Sequence, residues 1–195
     1  AAGRVIYWNL AEHYPDAPEE ARAEILHEAA RLSSMMGDYT AAQYFGEKFM
    51  AEMPEDHQLK NNVSTFMLQS LFTSGQYEQV ITIAERVRER YELGVSQREL
   101  ADFLYPMALY MTGEHERAVD PFADYVKGYP DGRNIEPVMY HRPSSMLILG
   151  KMRDAAERYE EFLKKFPASE RFLDTALSDL TIARFNLEDY PAAIA

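Results

Sequence analysis

The sequence contains no cysteine, so neither a disulfide frame nor a thiolate metal site is open to it. Basic residues are also short: 20 Lys and Arg stand against 32 Asp and Glu, a formal net charge of −12. Nucleic acid and anionic lipid both demand concentrated cations, so that balance argues against either as the partner. Only nine of the 195 residues are glycine, which together with a helical hydrophobic period predicts an all-α protein. No run approaches the roughly 20 apolar residues that a membrane span needs. Arg4, Trp8 and Asn9 interrupt the opening stretch, so residues 1–10 do not read as a signal peptide. With 47% hydrophobic and 12% aromatic residues, the chain can nonetheless bury a core.

Five short punctuations recur along the chain: Gly37-Asp38-Tyr39, Gly75-Gln76-Tyr77, Gly113-Glu114-His115, Gly150-Lys151-Met152 and Glu188-Asp189-Tyr190. Their first residues lie 38, 38, 37 and 38 apart. Ala42, Val80, Ala118, Ala155 and Ala193 each follow the first residue by five positions, and Pro54, Pro130 and Pro167 by 17. A spacing held so closely marks a stacked repeat array, in which each helix pair buries its faces only against the next. The small residues in one slot let helix backbones approach, and the turn aromatic fills the space between units. The expected layout is a single segment over 1–195: a partial repeat 1–15, repeats at about 16–54, 55–94, 95–130 and 131–167, and a partial repeat 168–195. Both ends fall inside a unit, so a segment of a longer array is expected, and the cut ends could support self-association.

Local signals fill in the repeats. Asp16 and Glu19 are expected to cap the first full helix, with Pro18 in its first turn. Each turn glycine is expected to end a helix in the left-handed conformation, and Gly94 to end the second helix of repeat two. Ser96 and Glu99 are expected to form a capping box for the helix that follows. Pro106 and Pro143 hold corresponding slots within first helices, and Pro121 lies in a second helix. An interior proline removes a hydrogen bond and costs about 3 kcal/mol, so these helices are expected to begin late or bend; alternatively, units three and four are distorted to shape a groove. Gly132, Pro137 and Pro143 make 131–143 the weakest helical stretch.

Catalytic constellations are missing. His27-Glu28-Ala29-Ala30-Arg31 stops one letter short of a zinc-hydrolase HExxH, because a guanidinium stands where the second histidine ligand belongs. The five histidines are scattered over different units, and no phosphate loop, nucleophile elbow or calcium loop occurs. Glu19-Glu20 and Glu160-Glu161 read as solvated helix faces. No enzymatic activity and no cofactor or metal are expected.

The turn, the alanine and the closing proline together resemble the tetratricopeptide repeat (TPR) family: Gly37-Asp38-Tyr39…Ala42…Pro54 follows its pattern, and the later units follow it with His115 or Met152 in place of the tyrosine. The resemblance covers essentially the whole chain. It implies a right-handed superhelical solenoid of antiparallel helix pairs, with a period of about 38 rather than the family's usual 34. It also implies a non-catalytic scaffold that holds a protein or peptide segment in a concave groove lined by first helices. The residues carried into that groove are Arg31, Gln69, Phe72, Phe103, Met107, Tyr110, Tyr140 and Leu147. The Lys and Asn set with which chaperone-binding relatives clamp a terminal carboxylate is missing. The long period and the hinges Tyr14-Pro15, Tyr129-Pro130 and Phe166-Pro167 are similar to bacterial envelope members, such as the outer-membrane-assembly lipoprotein and the Tol–Pal-associated coordinator. The implied location is the periplasm or cell envelope, with the cytoplasm as the other option, although the lipid-bearing cysteine is absent. Other functions implied by the resemblance are a regulatory or substrate-binding arm of a larger enzyme, such as a glycosyltransferase, and an exopolysaccharide-export scaffold.

Overall fold

The computed structural model describes residues 2–90 and 94–187. They form α1 (Ala2–His13), α2 (Glu19–Met35), α3 (Tyr39–Glu52), α4 (Lys60–Thr73), α5 (Tyr77–Arg90), α6 (Val95–Met111), α7 (His115–Gly128), α8 (Ile135–Ile148), α9 (Met152–Lys165) and α10 (Leu173–Asn186). The fifth turn at 188–190 and Ala193 lie outside the described residues.

Each described turn has one construction. Gly37, Gly75, Gly113 and Gly150 take φ of +75°, +76°, +83° and +74°, a region open to glycine at little cost. The amide after each glycine reaches back across the turn: Asp38 to the Ser33 carbonyl (3.0 Å), Gln76 to Leu71 (2.9 Å), Glu114 to Leu109 (2.8 Å) and Lys151 to Met146 (2.9 Å). The glycine amides bond Ser34, Phe72, Tyr110 and Leu147. This double bond is the Schellman closure, which satisfies carbonyls that a helix end leaves free. The second helices stop as the prolines require, since α3, α7 and α9 end two residues before Pro54, Pro130 and Pro167.

The chain divides into two compact units, Ala1–Leu104 and Tyr105–Ala195. In the first, α1 packs on α2, α2 on α3, α3 on α4 and α4 on α5, while α2 also touches α4. In the second, α7 packs on α8, α8 on α9 and α9 on α10, while α8 also touches α10. First helices of successive pairs thus meet, as stacking of hairpins demands. The small slot is fully buried, with Ala42, Val80, Ala118 and Ala155 each at 0% exposure. Phe49, Val87, Tyr125 and Phe162 are buried seven residues further on, two helical turns along the same face.

A part-buried ion pair, with its arginine buried and its glutamate open to solvent, joins three helices of the first unit. Arg22 donates to both carboxylate oxygens of Glu52 (2.7 and 3.0 Å) and to the Ala11 carbonyl (2.7 Å). It thereby ties the end of α1 and the start of α2 to the end of α3. Bidentate geometry is the form in which such a pair withstands burial.

Three local expectations are corrected. Helix α2 starts at Glu19 with Pro18 at the cap and no side-chain cap bond; Asp16 is held in the preceding turn, so Glu19 does not close a box on it. Gly94 opens α6: its amide donates to Gln97 Oε1 (3.1 Å), and its carbonyl accepts from Arg98 (2.9 Å); the stretch 91–93, where the expected end of α5 falls, lies outside the described residues. The cap is therefore the one-sided bond from the Gly94 amide to Gln97, two residues ahead of the expected box of Ser96 with Glu99. Finally, α6, α7 and α8 run through Pro106, Pro121 and Pro143 without a late start. Pro106 and Pro143 are buried in the slot that Ala30 and Leu68 occupy in the first unit. Helix α8 covers most of 131–143, with Pro137 in its first turn, where a missing amide proton matters least.

Candidate functional site

In the first unit the expected groove residues differ in exposure and in what they touch. Arg31 is half-buried and already paired, its guanidinium donating to Glu28 at 2.9 and 2.6 Å and to Met35 Sδ at 3.1 Å. That pairing holds the Glu28 carboxyl below its ordinary range, the hydrogen bonds from Arg31 outweighing burial. His27 Nδ1 lies 3.3 Å from Glu28, and burial holds its pKa below the ordinary histidine value. Arg31 thus occupies the carboxylate between the two motif positions. Among the described residues no three His, Asp or Glu gather as a metal set. Gln69 is exposed. Phe72 is half-buried, its ring edge-on to Tyr77 at 5.3 Å. Phe103 is half-buried on α6.

In the second unit the expected residues converge on an aromatic ladder. The Tyr110 ring lies 5.1 Å from His115 and 4.6 Å from His141, and its hydroxyl is 3.0 Å from Ser144 Oγ. His141 in turn touches Tyr140 at 5.0 Å, and Tyr140 stacks on Phe172 at 4.5 Å with an 18° interplanar angle. The Tyr140 and Tyr159 hydroxyls both donate to Asp179 Oδ2, at 3.2 and 2.8 Å. Burial, and then the carboxylate, raise both phenol pKa values well above the ordinary tyrosine range. These phenols stay protonated and serve as donors. His141 is pushed down to about 4 by burial, with the Arg171 charge adding to the effect. Met107 and Tyr140 are buried, at 8% exposure each, while Leu147 lies half-buried against the core of this unit.

Large apolar residues open to solvent include a different slot, besides others such as Ile182 and Phe185 on α10. Met35, Met111 and Ile148 each sit two residues before a turn glycine, at the end of a first helix. They are 73%, 48% and 58% exposed. Phe72, Tyr110 and Leu147, each three residues before a glycine, flank that slot. Sequence reasoning missed Met35, Met111 and Ile148, although their fixed offset from the glycine was readable. It also missed Asp179, whose tyrosine partners lie 39 and 20 residues away; nothing local announces such a contact.

No protein-family model matches the sequence, and no curated protein matches it. Solved structures do. MamA from AMB-1 superposes with a TM-score of 0.70 at 11% identity, over 89% of this chain and 94% of that one. A double mutant of MamA from RS-1 gives 0.68 at 12%, over 88% of each chain. A Podosopora anserina protein of kinesin-light-chain type, with nearly identical TPR-like repeats, gives 0.62 at 14%, over 90% of this chain and 91% of that one. At such identities the likeness concerns the fold: an all-α, TPR-like array of helix hairpins. Among the described residues no helix is long and apolar enough to cross a membrane.

Proposed function

We propose that this chain is a non-catalytic scaffold that binds protein or peptide segments on the face of its first helices. The observation that carries this reading is the recurrence of large exposed apolar residues in one slot: Met35, Met111 and Ile148. The hairpin fold does not need them there, because the Schellman closure is made by backbone groups and each core slot is already filled. The second repeat carries Thr73 at this place, so the apolar slot recurs at three of the four described turns, and exposed apolar residues on adjacent repeats, Met111 and Ile148 above all, have a reason to be covered. In the second unit Tyr110 and Leu147 complete that surface, with Met107 and Tyr140 supporting it from beneath. In the first, Arg31 binds Met35, and Phe72 and Gln69 belong to α4, whose own slot holds Thr73. Phe103 extends the same series of first-helix positions. The aromatic–proline hinges support an assembly at a bacterial cell envelope.

The test is a pair of charge substitutions at exposed positions, Met111→Glu with Ile148→Glu, in affinity capture quantified by mass spectrometry. Proteins retained by the wild type and lost from the variant, at unchanged helicity, are the expected outcome. An identical captured set would defeat this reading.

A further inference from the structure

A concavity of about 300 Å3 opens in the first unit between α3 and α5, with α4 as its floor. Its walls are Met50 and Ala51 on one side and Ile83 and Val87 on the other, and Met67 and Ser64 rise from below. Met67 finds room because Gly46 faces it: a Cβ there would lie 2.5 Å from Met67 Cγ. This site involves second helices and does not rest on the scaffold surface described above.

Ser64 makes the concavity more than an apolar dent. It is 1% exposed, lines the cavity, and its hydroxyl has no hydrogen-bond partner. The other hydroxyls of α4 and its cap behave differently: Thr65, Ser70, Thr73 and Ser74 each bond the carbonyl four residues back, at 2.8, 2.8, 2.8 and 2.6 Å. A buried hydroxyl left unpaired is costly and unusual in a folded chain. At the rim, Glu47 and Arg86 are exposed and opposite in charge. Among the described residues neither is joined to a partner by an ion pair.

We propose that this pocket receives the phenol ring of a tyrosine side chain carried on a partner peptide. The apolar walls select a ring or an aliphatic chain, and the two methionine thioethers favour an aromatic edge. Ser64 Oγ at the base separates tyrosine from phenylalanine and leucine, because only the phenol brings a polar atom to it. A cavity at the small end of the ligand-site range suits one side chain rather than a larger molecule. Glu47 and Arg86 at the mouth match a peptide backbone, with an N–H toward the carboxylate and a C=O toward the guanidinium.

The experiment uses the full chain labelled with 13C at the methionine methyls. It is titrated with acetyl-Gly-Tyr-Gly-amide, the phenylalanine analogue and p-cresol. The tyrosine peptide is expected to shift the Met50 and Met67 methyls saturably, leaving Met139 and Met146 unmoved. It should bind about five- to tenfold tighter than the phenylalanine peptide, the usual net worth of one hydrogen bond. Ser64→Ala should abolish that ratio. Ala51→Leu, at the exposed rim, should block both peptides without loss of helicity. Unmoved Met50 and Met67 methyls, equal affinities for the two peptides, or a ratio that survives Ser64→Ala would each overturn the proposal. Binding of p-cresol as tight as that of the tyrosine peptide would also overturn it, assigning the pocket to a free phenol. None of these readings involves captured partners, so failure here leaves the scaffold reading standing, and the converse holds.

Discussion

At Gly113 the backbone sits at φ +83°, and a Cβ placed there would meet nothing within 4 Å. Substitution therefore probes conformation alone. Gly113→Ala should lower stability by about 1–2 kcal/mol, the cost of a left-handed L-residue, and Gly113→Asn by less. Urea denaturation with an unchanged m-value measures both. His141 offers a residue-scale test of electrostatics. Its ring lies among Tyr110, Tyr140 and Phe172, and burial holds its pKa near 4 against an ordinary 6.5. The unfolded chain then binds a proton between those values that the folded chain refuses, so stability is complete above pH 6.5 and falls as pH drops toward 4. The loss reaches roughly 3 kcal/mol at most. Carboxylates held low by ion pairs, such as Glu52 and Glu28, begin to contribute only below their unfolded value of 4.5. His27 is depressed as well, so wild type and His141→Phe must be compared directly. Melting curves should show a shallower decline for the variant between pH 6.5 and 4.5; parallel curves would mean that His141 titrates normally.

At the scale of the helix, the punctuation was legible and the faces were not. The glycine turns, the alanine slot and the proline stops are local rules, and each acts within a few residues, so α2, α4, α6 and α8 stop two residues before a turn glycine and α3, α5, α7 and α9 start two residues after one. Which first-helix residues face a neighbour is a non-local matter. Periodicity places Met107, Tyr140 and Gln69 alike on a first helix, yet the first two are buried under adjacent helices and the third is exposed. The start of α6 shows a finer limit: Gly94 fits a helix end as well as a helix start, and Ser96-x-x-Glu99 satisfies the two-sided capping pattern, of which Gly94-x-x-Gln97 can make only half. The structure chooses the earlier pair, because Gln97 also donates to Asn62 on α4 and so joins two helices while it caps one. Gln97→Ala should then cost about 1–2 kcal/mol, a cap and a partner lost together. Ser96→Ala should stay within about 0.5 kcal/mol, as a plain surface change does. Thermal melts of the two variants separate the registers, and a larger loss for Ser96→Ala would restore the later box.

For the molecule as a whole, the recurring turn explains how so acidic a chain folds. Its closures are backbone bonds between neighbouring residues, and its cores are small and apolar, so the net charge of −12 is carried outside them. That charge repels itself and opposes the compact state. Opposing this are exposed ion pairs such as Lys151–Glu116 and Arg158–Glu161, each worth about 0–1 kcal/mol and screened by salt in the same way. The part-buried Arg22–Glu52 pair, shielded from solvent on its arginine side, responds less. The two exposed terms have opposite signs, and the excess of 12 acidic groups decides between them. Raising NaCl from about 0.05 to 0.5 M, where the screening length drops from beyond 10 Å to about 4 Å, should therefore raise the melting temperature at pH 7. Near the isoelectric point of about 4.9 the net repulsion vanishes while part of the ion pairing survives, so the same addition of salt should leave the melting temperature unchanged or lower it. A decrease with salt at pH 7 would show that the surface pairs outweigh the global field.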